Sequence, residues 1–246
     1  MPNPWDVGSA KLLAGLGFEA LATTSAGFAW TLGKHDQHVT RDELIDHVRQ
    51  VAAAIDVPLN VDSERCFADD LAGIAETVHL LRDAGAAGCS IEDFNPASGG
   101  IDPIDVATER VAAAAAAAHA GGDPMVLTAR CENLLYGLGD LDDTIDRLVA
   151  YRDVGADCVY APGLTTTDQI RTVAQAVGVP LNVLALPNGP SVAEIGAAGG
   201  RRVSTGGSLA STAYGAAMIG ARELLESGTS TYLRIKLGGT DRMNLG

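Results

Sequence analysis

Four short apolar runs in this chain each stop at a hydrogen-bonding or charged residue. Leu59-Asn60-Val61 runs into Asp62 and Glu64, and Cys89-Ser90-Ile91 into Glu92 and Asp93. Met125-Val126-Leu127-Thr128-Ala129 runs into Arg130, and Leu21-Ala22 into Thr23-Thr24-Ser25. In a parallel sheet every strand points the same way, so these ends converge on one rim. Such a rim holds at least three carboxylates and one guanidinium, a setting that suits a hard cation and a small anionic ligand.

Length sharpens the choice of sheet. A chain of 246 residues accommodates two domains or one (β/α)8 barrel, which commonly runs about 250 residues. No linker interrupts the pattern, so the expected fold is α/β, a single (β/α)8 TIM barrel over residues 1–246. Only 4% of the residues are aromatic against 47% hydrophobic, so Ala, Val, Leu and Ile must build the core. A repeat supports the barrel: Ala54-Ile55-Asp56-Val57-Pro58-Leu59-Asn60-Val61 recurs as Ala176-Val177-Gly178-Val179-Pro180-Leu181-Asn182-Val183. Each copy reads as a helix end, a turn marked by proline and a strand. A second echo, Ala84-Gly85-Ala86-Ala87-Gly88-Cys89 and Val154-Gly155-Ala156-Asp157-Cys158, places Gly at a helix stop before a strand.

Eight strand-helix units follow. Strands are expected near 1–3, 20–24, 59–61, 88–91, 125–129, 158–160, 181–184 and 202–204. Helices are expected near 9–16, 41–55, 69–84, 103–120, 140–154, 166–176, 191–197 and 208–227. Thr40 before Arg41-Asp42-Glu43 reads as a capping box, and Pro103 as the first helical residue after Asp102. The first strand has almost no sequence before it, so the barrel closes with a stub or the true start lies upstream of Met1.

Charge and composition exclude several partners. The formal charge is −14, from 17 basic and 31 acidic residues, without a Lys/Arg run, which argues against nucleic acid and anionic membrane surfaces. The longest apolar stretch, Val111 to Ala118, is too short to span a bilayer. A soluble, cytoplasmic protein is expected. Cys66, Cys89, Cys131 and Cys158 form no CxxC pair and read as buried or site-lining thiols.

Asp62-Ser63-Glu64 carries the most chemical weight, because alternation in an extended segment puts both carboxylates on one side. Glu92 at the next strand end completes a set of oxygen ligands with no nearby His, which selects Mg²⁺ or Mn²⁺ over Zn²⁺. The competing reading pairs these acids with Arg65 and Arg130. A guanidinium beside a metal suits a bidentate substrate carboxylate; alternatively Arg130 forms an ion pair with Glu132 or Glu92. The Thr23-Thr24-Ser25-Ala26-Gly27 turn offers N–H groups and hydroxyls to a carboxylate or an enolate oxygen. Lys34, His35, Asp36 and His38 occupy a polar loop, with His35 and His38 as acid-base candidates or solvated residues. His47, His79 and His119 fall within helices and read as surface or structural residues.

Asn3-Pro4-Trp5-Asp6-Val7-Gly8-Ser9-Ala10, Thr24-Ser25-Ala26-Gly27, Leu32-Gly33-Lys34-His35-Asp36, Asp62-Ser63-Glu64, Ser90-Ile91-Glu92-Asp93 and Thr128-Ala129-Arg130 together resemble the isocitrate lyase/phosphoenolpyruvate mutase superfamily, in order and over nearly the whole chain. The resemblance implies a (β/α)8 barrel that uses Mg²⁺ to bind a 2-oxo acid and stabilise its enolate while a C–C or P–C bond breaks. It implies that Asp62 and Glu92 hold the metal, with Glu64 in place of a second Asp. It also assigns Arg130 and the Ser25 to Gly27 turn to the substrate and Asp36 to the neighbourhood of the reacting group. Such proteins exchange their last helix between subunits, so 208–227 would be a swapped helix in a homodimer or homotetramer.

Departures narrow the chemistry. Phe94-Asn95-Pro96-Ala97-Ser98-Gly99-Gly100 stands where the lyase branch has Lys-Cys-Gly-His, which argues against isocitrate or methylisocitrate cleavage. Asn95 alone remains of the longer mutase lid, as a substrate-binding candidate. Cys66-Phe67-Ala68 replaces a Gly-aromatic-Gly turn. The expected activity is cleavage or decarboxylation of a small 2-oxo or 2-hydroxy dicarboxylate, with a proton from His35 or water. Phosphonomutase or phosphonopyruvate hydrolase chemistry is the alternative, and a non-catalytic 2-oxo acid binder the third reading.

Overall fold

The computed structural model, which describes residues 1–243 and 245, has strands β1 (Leu21–Ala22), β2 (Leu59–Asp62), β3 (Gly88–Glu92), β4 (Phe94–Asn95), β5 (Gly100–Ile101), β6 (Val126–Arg130), β7 (Cys158–Tyr160), β8 (Leu181–Leu184) and β9 (Arg202–Ser204). Seven of them form one parallel sheet in the order β1-β2-β3-β6-β7-β8-β9, while β4 and β5 pair as a separate hairpin. Helices α1 (Val7–Gly15), α2 (Ser25–Thr31), α3 (Arg41–Ala52), α4 (Leu71–Asp83), α5 (Ile104–His119), α6 (Asn133–Tyr136), α7 (Leu141–Asp153), α8 (Thr167–Val177), α9 (Val192–Ala197), α10 (Ser208–Ser227) and α11 (Gly239–Met243) surround it. This is the expected α/β barrel, with every strand end carried to one rim.

Its closure differs from expectation. Met1 to Asn3 is not a strand, because Pro2 has no N–H and Pro4 ends the segment, leaving too few donors for a ladder. The segment still fills the gap between the sheet edges. The Met1 amino group donates to Val203 O at 2.8 Å, and the Ala22 amide donates to Pro2 O at 3.1 Å. Asn3 donates through Nδ2 to Thr23 O at 2.8 Å, and its Oδ1 accepts from the Thr205 and Gly206 amides.

Local signals explain most helix ends. Thr40 and Glu43 form the capping box at α3, and Thr166 with Gln169 and Ser191 with Glu194 do the same at α8 and α9. Pro103 lies just outside α5 with extended ψ rather than inside it. Its neighbour α5 buries Ala107, Ala114, Ala115, Ala117 and Ala118, small side chains that let α4 and the sheet approach. Arg82 of α4 closes α5 by donating to Ala117 O and Ala118 O at 2.7 and 2.8 Å. Ile74, Leu81, Leu127 and Ile170 are fully buried, and truncating any one of them to Ala costs about 2–5 kcal/mol.

Short elements escaped the sequence pattern, among them α2, α6, α11 and the β4/β5 hairpin. Each is too short to show a period. Glycine is required inside α2, where a Cβ on Gly27 would lie 2.6 Å from Thr24 Cγ2 and 3.0 Å from Trp5 Cβ. The α10 helix runs over the expected span but buries only Ala210 and Gly220. No helix among the described residues is long and apolar enough to cross a membrane.

Candidate active site

Sheet register brings the charged strand ends together. Glu92 on β3 lies directly opposite Arg130 on β6, and β2 pairs with β3 so that Asp62 faces Ser90. Arg130 then reaches three carboxylates: Asp62 Oδ1 at 2.6 Å, Glu132 Oε1 at 2.9 Å and Glu92 Oε2 at 3.1 Å. Its guanidinium carbon sits 5.4 Å from the centre of the Tyr160 ring. These are the Arg130 ion pairs of the competing reading, made by Asp62, Glu92 and Glu132 but not, among the described residues, by Glu64. Arg65 takes no part and pairs instead with Asp102 and Asp69.

The turn after β1 meets Asp62 from the other side. Thr24 caps α2, and the Ser25 amide donates to Asp62 Oδ2 at 3.1 Å while the Asp62 amide donates to Thr23 Oγ1 at 2.9 Å. Gly27 N–H is committed to Thr24. The first turn of a short helix, rather than an open cradle, therefore carries Ser25, Ala26 and Gly27. Asp36 borders the cluster; partial burial and the neighbouring Asp62 raise its carboxyl above the usual carboxylate range.

Glu64 is buried beside these groups and has no side-chain hydrogen bond or ion pair among the described residues. Burial, reinforced by Asp62 and Asp36, pushes its carboxyl up to about 8. Burial likewise raises Glu92 and Glu132, against the opposing pull of Arg130. Asp62, Glu64, Glu92 and Glu132, with the more exposed Asp36 at their edge, thus face one guanidinium, an imbalance that protons or a cation must relieve. The oxygen donors fit Mg²⁺ or Mn²⁺ in kind. Their arrangement is that of a site closed on Arg130: among the described residues no three Asp, Glu, His or Cys side chains converge as a ready ligand set.

Below the rim a cavity of about 70 Å³ is lined by polar groups that include Thr23, Asn60, Ser90, Thr128, Asn182 and Arg202, together with Asp62 and Arg130. Arg202 donates to Asn182 Oδ1 at 2.9 Å and to Thr128 Oγ1 at 2.7 Å. The space admits only a few heavy atoms. The family model for phosphoenolpyruvate phosphomutase matches residues 1–225.

The chain belongs to the phosphoenolpyruvate phosphomutase family.

Solved relatives of this family share its architecture. A Burkholderia cenocepacia protein described as a candidate lyase/mutase is 49% identical, with a TM-score of 0.93 over 98% of this chain and 87% of that one. The oxaloacetate decarboxylase of Paraburkholderia xenovorans is 33% identical over 76% of this chain and 64% of its own length. A candidate 2-methylisocitrate lyase of Corynebacterium glutamicum is 31% identical over 74% and 60%.

Not every candidate residue of this family member reaches the cluster. His35 lines a groove with Trp30, Tyr214 and Met218 of α10, and its ring faces His38 at 6.0 Å. Asn95 borders a cavity of about 190 Å³ that Glu64 and Gln37 also line. Both ends of its amide are used within the hairpin region, donating to Asp102 Oδ1 at 3.0 Å and accepting from the Ala97 amide at 3.1 Å. His47 is buried and stacked on Phe28 at 3.9 Å. Two site residues escaped sequence reasoning. Glu132 follows Arg130 by two positions, a spacing that puts both on one side of extended chain, yet it entered only as an ion-pair partner. Gln37 holds a left-handed backbone at φ 64° and donates to Glu92 Oε1 at 2.8 Å; no local pattern announces it.

Proposed function

We propose that this chain is an Mg²⁺- or Mn²⁺-dependent enzyme that cleaves or decarboxylates a small 2-oxo or 2-hydroxy dicarboxylate through an enolate. The carrying observation is the crowding of Asp62 and the buried Glu64, Glu92 and Glu132 around the single guanidinium of Arg130. Asp62, Glu64 and Glu92 are the residues that would hold the metal. When bound, a divalent cation supplies Lewis-acid polarisation of the substrate oxygens and balances the acids.

The protein's own groups do the rest. With the cation taking over the acids, Arg130 is free to donate its planar fork to a substrate carboxylate. The Ser25 to Gly27 turn borders the same space, and the Ala26 amide is its one N–H without a side-chain acceptor. Thr128, Asn182 and Arg202 line the same cavity, whose volume of about 70 Å³ suits a small ligand. Asp36, held above the usual carboxylate range, is the nearest proton-carrying group of the loop. Similarity to an oxaloacetate decarboxylase supports oxaloacetate as the first substrate to try. The test is Mg²⁺-dependent conversion of oxaloacetate to pyruvate and CO2, or of a 2-alkylmalate to acetate and the corresponding 2-oxo acid. It should be lost in Arg130→Ala by a factor of about 10² or more, and chelation should abolish it.

The family model's own description favours a second reading, P–C bond chemistry on phosphonopyruvate. Turnover of phosphonopyruvate, with none of the carboxylic acids accepted, would select it. Oxalate binding without any turnover would instead select a 2-oxo acid binder.

Assembly as a homodimer or homotetramer belongs to the same proposal. Helix α10 leaves Met218, Ile219, Leu224 and Leu225 exposed, Leu225 at 86%, a face that a second copy would cover. Light scattering at micromolar concentration should give a mass at least twice that of the chain. The four buried free thiols support action in the cytoplasm.

A further inference from the structure

The segment after β2 turns in a conformation that its residues resist. Glu64, Cys66 and Phe67 have φ of 48°, 62° and 54°, the left-handed region that glycine tolerates and larger residues disfavour. Something outside the segment must hold it. Its carbonyls account for the restraint: Ser63 O accepts from the Cys66 amide at 2.8 Å, Glu64 O from the Glu92 amide at 3.0 Å, and Cys66 O from Thr77 Oγ1 at 2.9 Å. Three more are held by one side chain. Arg110 of α5 donates to Arg65 O at 2.8 Å, Ala68 O at 2.7 Å and Asp69 O at 3.1 Å.

Arg110 is 3% exposed, and its nearest anion, Asp102, lies 3.8 Å from Nε and is already hydrogen-bonded by Arg65 and Asn95. An apolar residue on α5 would fill this space without burying a charge. A planar fork, however, spreads fixed donors over carbonyls that one point-like ammonium cannot meet with the same geometry.

We propose that Arg110 is a positioning residue: by clamping the carbonyls of residues 65, 68 and 69 it holds the strained turn that presents Glu64 beside Asp62 and Glu92. Its consequence for ligand binding rests on the metal-site reading given above; the clamp itself does not.

Arg110→Lys retains the charge and loses the fork. Hydrogen exchange should accelerate at the Cys66 and Glu92 amides, whose acceptors are in the turn, while the Val159 amide of β7 stays protected. Oxalate binding in the presence of Mg²⁺ should weaken about 10- to 100-fold. Adding Cys66→Gly, which removes one resisted conformation, should restore both readouts in part. Recovery of folded protein in the double variant when Arg110→Lys alone fails to fold also counts for the clamp. Unchanged exchange at Cys66 and Glu92 in Arg110→Lys, no recovery with Cys66→Gly, or loss of folding in both variants overturns it. If the parent binds no oxalate with Mg²⁺ while exchange behaves as stated, the metal-site reading fails and the clamp stands.

Discussion

Glu92 and Asp93 are neighbours at the end of one strand, and both are buried, but they face opposite environments. Behind the barrel wall Asp93 accepts from the Tyr151 hydroxyl at 2.6 Å, the Glu132 amide at 2.8 Å and Arg147 Nη1 at 3.3 Å. Inside the rim, Glu92 shares one arginine with Asp62 and Glu132, while the Glu64 carboxyl has no hydrogen-bond or ion-pair partner among the described residues. The first cluster is complete in itself and stabilises the packing of α7 on the sheet. The second is short of positive charge. Buried acids with every lone pair spoken for are structural, and buried acids that crowd one cation are poised to bind another.

Three experiments can break this contrast. The largest effect is expected from Asp62→Ala, which removes an acid shared by Arg130 and the Ser25 amide. Calorimetry should show cooperative Mg²⁺ and oxalate binding reduced at least about 100-fold, with the fold retained; binding equal to the parent's would mean that the rim acids are as structural as Asp93. Asp93→Ala should do the reverse. Stranding the buried Tyr151 hydroxyl, while Arg147 keeps Asp143 and Asp102 O, should cost about 1–3 kcal/mol in urea unfolding, while the folded fraction binds oxalate as the parent does.

The smallest effect is a pH dependence. Glu64 has a folded-state pKa of about 8 against an ordinary 4.5, so between those values the native chain holds a proton that the unfolded chain has released. Stability must then fall as pH rises through that window, by at most about 1.4 kcal/mol per pH unit. Glu64→Gln should flatten this limb of the stability curve, and added Mg²⁺ should flatten it in the parent. An identical slope in parent and variant would show that Glu64 is already ionised and balanced by a neighbour.

Much of this arrangement is legible in the sequence because it rests on local periodicity. Apolar runs ending at Asp62, Glu92 and Arg130 declare strands and their rim, Thr40 and Glu43 declare a helix start, and the repeated Val-Pro-Leu-Asn-Val declares a turn into a strand. Alternation along a strand decides which residues share a side, and a parallel sheet decides that their ends share a rim. Tertiary structure alone decided the remainder. Met1 to Asn3 closes the barrel without forming a strand, because its amino group donates to Val203 O on β9 and its Pro2 carbonyl accepts from the Ala22 amide on β1. Arg130 meets three acids at once only through register, and Gln37 reaches Glu92 across 55 positions of chain. The left-handed turn at Glu64 depends on a guanidinium 45 residues beyond Arg65. A strand or a cap is specified by neighbours in sequence, whereas a strained turn and a charge imbalance exist only once distant groups have been brought together and water removed from between them.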